Sequence, residues 1–320
     1  MKRREFVFAL GSLAIPSAAL AQAPQVRIGV LSPVRRPAAL PAMRKRLGEL
    51  GFVDGKNLAI DLRSTDGVFE RFGPLARDLV QGKHDLLIAY GAKAAAQALM
   101  QSTQVVPIVI VAMDYDPIQA GVVTNLRRPG KNVTGIFIPK LELTAKRLEL
   151  LREFLPRLAR IFVLSDPYTK DQLEVVRAVA ERMRIQVVEF GFTAQPYDFE
   201  SAFDHGRKAS VEALLLPSSP VFYEQRARIA ELTIANRLPS IVDFTYWARA
   251  GHLASYGIDA VRGFARLGDI AASILKGAKP GEIALEQANV YEFAVNLKVA
   301  KILGLAVPNR VLLRADVVIE

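Results

Sequence analysis

The sequence has no cysteine among its 320 residues and only three histidines. Without cysteine there is no disulfide, no thiolate metal site, no cysteine nucleophile and no lipid anchor on an N-terminal cysteine. His84, His205 and His252 lie far apart and match no metal-ligand spacing, and no H-E-x-x-H motif occurs. We therefore interpret the histidines as structural and expect no bound metal.

The motifs of several enzyme classes are also missing. There is no G-x-S-x-G elbow of α/β-hydrolases and no G-x-x-x-x-G-K-[ST] loop for nucleoside triphosphates. No G-x-G-x-x-G follows the first predicted strand, where the segment Ile28–Pro33 stands instead. We expect neither a cofactor nor catalytic residues.

The net charge is +10, but no stretch interleaves lysine and arginine densely with aromatic residues. No helix-turn-helix, zinc-finger or RNA-recognition signature is present, so we expect a solvated basic surface and no nucleic-acid partner. Beyond the N-terminal segment, no run reaches the roughly 18 apolar residues of a membrane span. The sequence predicts a soluble mature chain.

Residues 1–21 have the three parts of an export signal. Lys2–Arg4 is a basic start, Phe6–Ile15 an apolar run too short to span a bilayer, and Ala19 and Ala21 are the small residues before a cleavage point. We predict a signal peptide cleaved after about Ala21 and a periplasmic protein without a lipid anchor. The segment around Arg3 and Arg4 resembles the twin-arginine motif, so this export route stays open beside the general one.

The remaining sequence alternates short apolar runs with helical patterns. Residues 26–31 predict a strand, residues 38–50 a helix, and the continuous apolar run 107–112 a strand covered on both faces. Such alternation indicates right-handed βαβ units and parallel sheets. The predicted fold class is α/β, with two doubly wound parallel-sheet lobes joined by a hinge.

The alternation restarts after a break near Asn132–Pro139. We expect a first lobe over 22–136, with a return of about 258–290, and a second lobe over 137–257. The last residues, 291–320, are expected to pack at the hinge or on the first lobe.

Several predicted strands end in turns of small or polar residues that lead into a helix. Ligands of parallel α/β sheets bind beyond the carboxyl ends of the strands, where helix N-termini offer free N–H groups to anions. One such turn alone is usually ordinary capping, but their recurrence in both lobes favours a ligand cleft. The turns are Ser32-Pro33, Tyr90–Lys93, Met113–Pro117, Ser165–Tyr168 and Ser218–Pro220.

Several short segments, spread over nearly the whole mature chain, have a characteristic order and spacing. These segments are Arg27–Leu31, Leu47–Phe52, Asp116-Pro117, Arg128–Gly135, Lys146–Leu151, Gln225–Ile229, Ser255–Gly257, Ile274–Pro280 and Leu312–Asp316. Through them the chain resembles the ABC-transporter substrate-binding protein family that includes bacterial tryptophan- and tyrosine-binding receptors.

The resemblance implies a type I periplasmic-binding fold, in which two lobes close over one ligand and then dock on a membrane permease. Asp116-Pro117 matches the family's Asp-Pro turn. Lys93 departs from the family's usual small residue or proline, and Ser165-Asp166-Pro167 replaces a common Trp-Asn-Pro. Because these departures lie at the expected cleft, the identity of the ligand cannot be inferred from the tryptophan-binding members.

We therefore expect a monomeric receptor of an ABC importer that captures an amino acid or an aromatic or carboxylate compound. A carboxylate is expected at Gly91–Lys93, with the apolar part of the ligand against aromatic residues that include Tyr246. The predicted ligand-binding residues are Ser32, Tyr90, Gly91, Ala92, Lys93, Met113, Asp116, Ser165, Tyr168, Ser218, Ser219, Phe244 and Trp247.

Two alternatives remain open at this point. A hydrolase or isomerase could use Asp114 or Asp116 in the cleft, although no base–nucleophile pair is visible. A ligand-sensing regulatory module would have the same lobes, as transcription repressors do, but an export signal stands where their DNA-binding domain would be.

Overall fold

The computed structural model describes residues 25–113 and 115–320. The predicted signal peptide and Asp114 lie outside the described residues. In the described part the chain forms two parallel-stranded α/β lobes, which confirms the predicted fold class. In chain order the strands are β1 (Val26–Ser32), β2 (Leu58–Ser64), β3 (Leu86–Gly91), β4 (Ile108–Ala112), β5 (Val133–Phe137), β6 (Arg160–Ser165), β7 (Gln186–Gly191), β8 (Ala213–Leu215), β9 (Ser240–Val242), β10 (Ala254–Ile258), β11 (Glu286–Gln287), β12 (Tyr291–Asn296) and β13 (Val317–Ile319).

Helices connect these strands and cover the sheets, with short 3₁₀ turns at Phe69–Arg71 and Pro280–Glu282. The α-helices are α1 (Ala39–Glu49), α2 (Phe72–Gln81), α3 (Lys93–Ser102), α4 (Lys140–Phe154), α5 (Lys170–Arg182), α6 (Phe199–Lys208), α7 (Pro220–Glu224), α8 (Arg226–Ala235), α9 (Thr245–Gly251), α10 (Ala260–Leu275), α11 (Leu297–Leu303) and α12 (Asn309–Leu312).

The first lobe contains a six-stranded sheet in the order β11-β5-β4-β3-β1-β2, and every pairing in it is parallel. Successive strand side chains point to opposite faces. Ile28 and Val30 of β1 accordingly pack in the core beneath α1 and α10, whereas Leu31 packs in the core beneath α2 and α3. Burial on both faces explains the continuous apolar runs of β3 and β4.

The second lobe contains a seven-stranded sheet in the order β13-β12-β10-β9-β8-β6-β7. Its strands are parallel apart from β12, which runs antiparallel to β10, and β13, which is parallel to β12. The expectation that 291–320 packs at the hinge or on the first lobe is therefore wrong. Residues 254–258 leave an open sheet edge, and β12 fills it while burying Phe293 and Val295 in the core of the second lobe.

The chain passes between the lobes after β5, after β10 and after β11. Two of these crossings are joined by a hydrogen bond, in which the Asp259 N–H donates to the Val290 carbonyl oxygen at 2.9 Å. The Asp259 carboxylate also caps α10 by accepting from the Val261 and Arg262 N–H groups. These connections are short and form the hinge of the molecule.

Candidate functional site

A cavity lies between the two lobes, at the carboxyl ends of strands from both sheets. Its empty volume, including the open mouth, is about 480 Å³, within the range of small-molecule sites. The first lobe contributes Pro33, Val34, Ala38, Tyr90, Gly91, Ala92 and Met113. The second lobe and its first connection contribute Lys140, Ser218, Ser219, Pro220, Tyr223, Asp243, Phe244, Tyr246 and Trp247.

On the first-lobe side, the chain leaves β3 and turns directly into α3. Gly91 has φ +82, a left-handed conformation that glycine adopts without steric cost, and α3 begins at Lys93. No side chain of the described residues caps this helix, so its first N–H groups and its positive dipole end face the region of Gly91 and Ala92. This end of the cavity is suited to a carboxylate.

The second-lobe side is an aromatic wall. The ring of Phe244 stacks on Tyr246 with centroids 5.2 Å apart, and Tyr223 meets the Tyr246 ring edge-on at 6.0 Å. Trp247 is 1% exposed, and both its indole Nε1 and the Tyr246 hydroxyl are buried without a hydrogen-bond partner in the described structure. Because buried donors are normally paired, these two groups are available to a ligand.

Asp243 follows β9 directly and is the acidic residue among the described residues that line the cavity. It is 6% exposed, and its Oδ1 atom has no hydrogen-bond partner among the described residues. Burial raises the pKa of the Asp243 carboxyl, and the nearby positive charges of Arg147 and Lys140 offset part of the rise. Arg147 is itself buried and donates from Nε to the Tyr256 carbonyl oxygen at 2.8 Å.

At the mouth of the cavity the lobes touch each other. The rings of Phe69 and Tyr168 stack with centroids 4.8 Å apart, and the Tyr168 hydroxyl lies 3.5 Å from the Gly67 carbonyl oxygen. A Cβ atom at Gly67 would lie 2.1 Å from Nε2 of Gln195, which belongs to the second lobe. The molecule is therefore in a closed arrangement.

Behind the mouth, Asp166 organises the second-lobe loops. Its carboxylate accepts from the Tyr168 N–H at 2.9 Å and from the Ser219 hydroxyl, and it is nearly buried. Burial raises the pKa of Asp166. Ser219 in turn caps α7. This carboxylate supports the cavity wall without lining it.

Some predicted ligand-binding residues line the cavity and others lie elsewhere. Those in the lining are Tyr90, Gly91, Ala92, Met113, Ser218, Ser219, Phe244 and Trp247. Those that the structure places outside the lining are Ser32, Lys93, Asp116, Ser165 and Tyr168.

The predicted residues outside the cavity lining make other contacts or lie at other positions. The Ser32 hydroxyl bonds to the backbone of Val34, and the Ser165 hydroxyl donates to Glu189 at 2.5 Å. Tyr168 makes the contact between lobes described above, and Lys93 is an exposed residue in the first turn of α3. Asp116 is exposed, and its carboxylate caps the turn that follows by accepting from two backbone N–H groups.

The sequence predictions missed Asp243, Lys140 and Tyr223. Asp243 follows a strand as the predicted site turns do, so the same positional rule applied to 240–242 would have indicated it. Within residues 25–113 and 115–320, no group of histidines and carboxylates is arranged to hold a metal ion. In the same residues, no helix has the length and apolarity that crossing a membrane requires.

The sequence profile described as ABC transporter substrate binding protein matches residues 27–319. The tyrosine-binding protein of Clostridioides difficile (strain R20291) is 26% identical over 287 residues, covering 88% of this chain and 81% of the relative.

Two solved structures are similar over 92% of this chain. A conserved domain protein from Vibrio cholerae has a TM-score of 0.80 at 27% identity, with 99% of it covered. The ABC domain of Streptococcus pneumonia in complex with L-Trp has a TM-score of 0.79 at 27% identity, with 100% of it covered. The predicted family is confirmed: this chain belongs to the ABC transporter substrate-binding proteins, the receptors that capture a small organic ligand for an ABC transporter.

Proposed function

We propose that this receptor binds an aromatic or other large apolar amino acid in the cavity between its lobes and delivers it to the permease of an ABC importer. The observation that carries the proposal is the cavity wall itself. An aromatic surface from the second lobe faces a helix N-terminus from the first that no described side chain caps. The aromatic surface suits an apolar side chain, and the helix N-terminus suits the α-carboxylate.

The ligand acts by bridging the lobes. In an open form, the α3 N–H groups, the Trp247 indole and the Tyr246 hydroxyl are hydrated. In the closed form, a ligand replaces that water and buries its side chain against the aromatic wall. Because only the closed form makes both sets of contacts, binding shifts the open–closed equilibrium about the hinge. The protein works without catalysis, and Asp116 serves as a turn cap.

The proposed place of action is the periplasm. Residues 1–21 have the pattern of an export signal, with cleavage after about Ala21, and the mature receptor diffuses without a lipid anchor. Its partners are one small-molecule ligand and one membrane permease, and it acts as a monomer. The relatives similar in sequence support this proposal through their named ligands, tyrosine and L-Trp.

Calorimetry tests the proposed ligand class. The purified receptor is unfolded, dialysed and refolded to remove any carried ligand, and is then titrated with all proteinogenic amino acids and with benzoate. We expect saturable 1:1 binding of one or more aromatic or large apolar amino acids and a raised melting temperature. If no compound releases heat and none raises the melting temperature, the proposal is wrong.

A further inference from the structure

We infer that Asp243 recognises a protonated amine, so that the receptor takes amine-bearing ligands and rejects the corresponding carboxylic acids that lack the amine. The inference rests on the proposed function of the cavity and specifies which part of the ligand the second lobe binds. Asp243 lines the cavity, is 6% exposed, and has one carboxylate oxygen with no donor in the described structure.

A buried carboxylate oxygen without a donor is costly. Burying an ionised group without full hydrogen bonding destabilises a protein by several kcal/mol, so such groups are normally paired. An unpaired acceptor at the wall of a binding cavity is explained when the ligand supplies the missing donor. The donor that best suits a carboxylate in a dry site is a cation with N–H groups.

Among the described residues, no cation donates a hydrogen bond to Oδ1 of Asp243. Of the Arg147 guanidinium, Nε donates to the Tyr256 carbonyl oxygen at 2.8 Å and Nη1 donates to the Thr144 hydroxyl at 3.3 Å. Arg147 and Lys140 offset part of the effect of burial on Asp243 through their charge. Their charge thus acts on Asp243 without supplying, within residues 25–113 and 115–320, the donor that Oδ1 lacks.

Asp166 provides the contrast within the same lobe. It is also nearly buried, but its oxygens accept from the Tyr168 N–H and the Ser219 hydroxyl, and it does not line the cavity. A carboxylate that only supports a loop thus has its donors within the protein. Asp243 instead lines the cavity and leaves one carboxylate oxygen, Oδ1, without a donor among the described residues, which is the pattern expected of a ligand-binding group.

The surroundings of Asp243 also favour a cation. Phe244, Tyr246 and Tyr223 lie in the same wall, and aromatic faces attract an ammonium group. A ligand with a carboxylate and no amine would close the cavity over an unpaired Asp243, which discriminates against it. In this arrangement the first lobe binds the carboxylate of the ligand and the second lobe binds its amine.

The test compares ligands that differ only in the amine. Wild type, Asp243→Asn and the control Asp198→Asn are titrated calorimetrically with L-phenylalanine against 3-phenylpropanoate, and with L-tyrosine against 3-(4-hydroxyphenyl)propanoate. The control substitution makes the same change from carboxylate to amide at Asp198, an exposed helix cap outside the cavity. We expect wild type and the control to prefer an amino acid by about 100-fold or more. Asp243→Asn should lose most of that preference.

Each outcome has a separate meaning. If wild type binds the deaminated acids as tightly as the amino acids, amine recognition is wrong while the receptor function stands, and this result needs no variant. A preference that survives in a folded Asp243→Asn protein also overturns the role of Asp243. If wild type binds neither member of either pair, nor any other amino acid, the proposed ligand class is wrong and the inference fails with it.

Discussion

The ring of Tyr168 stacks on the ring of Phe69 at 4.8 Å with 22° between their planes, and this pair joins the two lobes at the mouth of the cavity. Phe69 keeps 41% of its surface exposed, so it contributes little to the core of its own lobe. Because the two rings belong to different lobes, opening of the cleft separates them. It therefore adds to the stability of the closed form relative to the open one.

Replacing Phe69 by alanine should weaken ligand affinity without unfolding the protein. An aromatic pair contributes about 0.5–1.5 kcal/mol, so we expect a loss of about 2- to 10-fold, mostly as faster dissociation. Stopped-flow and calorimetric titrations measure both quantities. Val105→Ala, at an 86% exposed position, is the control and should have no effect. Unchanged affinity in Phe69→Ala would show that the stack does not favour closure.

Replacing Trp247 by phenylalanine should separate affinity from stability. Among the described residues the buried Nε1 has no partner, so its removal costs no hydrogen bond of the ligand-free protein, and any fall in melting temperature comes only from the volume that the smaller phenylalanine ring leaves unfilled. Affinity should fall by about 2- to 10-fold because a ligand hydrogen bond is lost. The control Phe162→Leu, in the core away from the cavity, should lower stability and leave affinity unchanged. Equal affinity of Trp247→Phe and wild type would exclude a ligand contact at Nε1.

The buried carboxyl group of Asp243 in the cavity wall predicts that ligand affinity depends on pH. Burial raises the pKa of its carboxyl, so protonation begins at a higher pH than for an ordinary aspartate. A protonated carboxyl cannot pair with an ammonium group, and affinity for an amino-acid ligand should fall as the pH is lowered from 7 toward 4. In Asp243→Asn the affinity should be weak and independent of pH over this range. A wild-type affinity that stays constant to pH 4 would contradict the ion pair.

The burial of His252 predicts a separate pH dependence, that of the free energy of unfolding. The ring is fully buried and burial lowers its pKa to about 3, whereas an unfolded chain holds it near 6.5. The unfolded state therefore binds the extra proton between these values, and stability is lost as the pH falls from about 6.5 toward 3. The loss at pH 4.5 should be about 3 kcal/mol.

Urea unfolding at pH 7 and pH 4.5 measures this loss for wild type and for His252→Gln, in which the titrating group is absent. The difference between the two pH values should be smaller in the variant by about 3 kcal/mol. His205→Gln, at an exposed position, is the control and should behave as wild type. Equal losses in wild type and His252→Gln would contradict the buried neutral ring.

The sequence was sufficient for the sheets and for the edge at which the cavity lies. Continuous apolar runs specify buried parallel strands, and the turns after them reach the carboxyl edge of each sheet, so Tyr90 of the first lobe and Ser219 of the second could both be predicted at the cavity. The direction in which each side chain points could not be predicted from the sequence. Ser165 ends a strand as Ser219 follows one, but its hydroxyl donates to Glu189 on a neighbouring strand, a partner fixed by tertiary structure.

Local elements were mispredicted where packing overrides pattern. The helical segment before β9 consists of two helices, α7 and α8, that meet at Gln225, and Ser219 caps α7 where Pro220 begins it. The short aromatic helix α9 was not predicted, since its seven residues show no clear period. The place of 291–320 depends on which sheet edge is open, a non-local property that no periodicity reveals.

The most direct measurement uses the fact that Trp247, in the cavity wall, is the chain's single tryptophan. Ligand-free protein excited at 295 nm is titrated with L-phenylalanine and other non-fluorescent large apolar amino acids, beside a calorimetric titration of the same samples. We predict a saturable change in Trp247 emission with the same affinity and 1:1 stoichiometry as the heat. Calorimetric binding with no change in Trp247 emission would place the ligand elsewhere and contradict the assignment of this cavity.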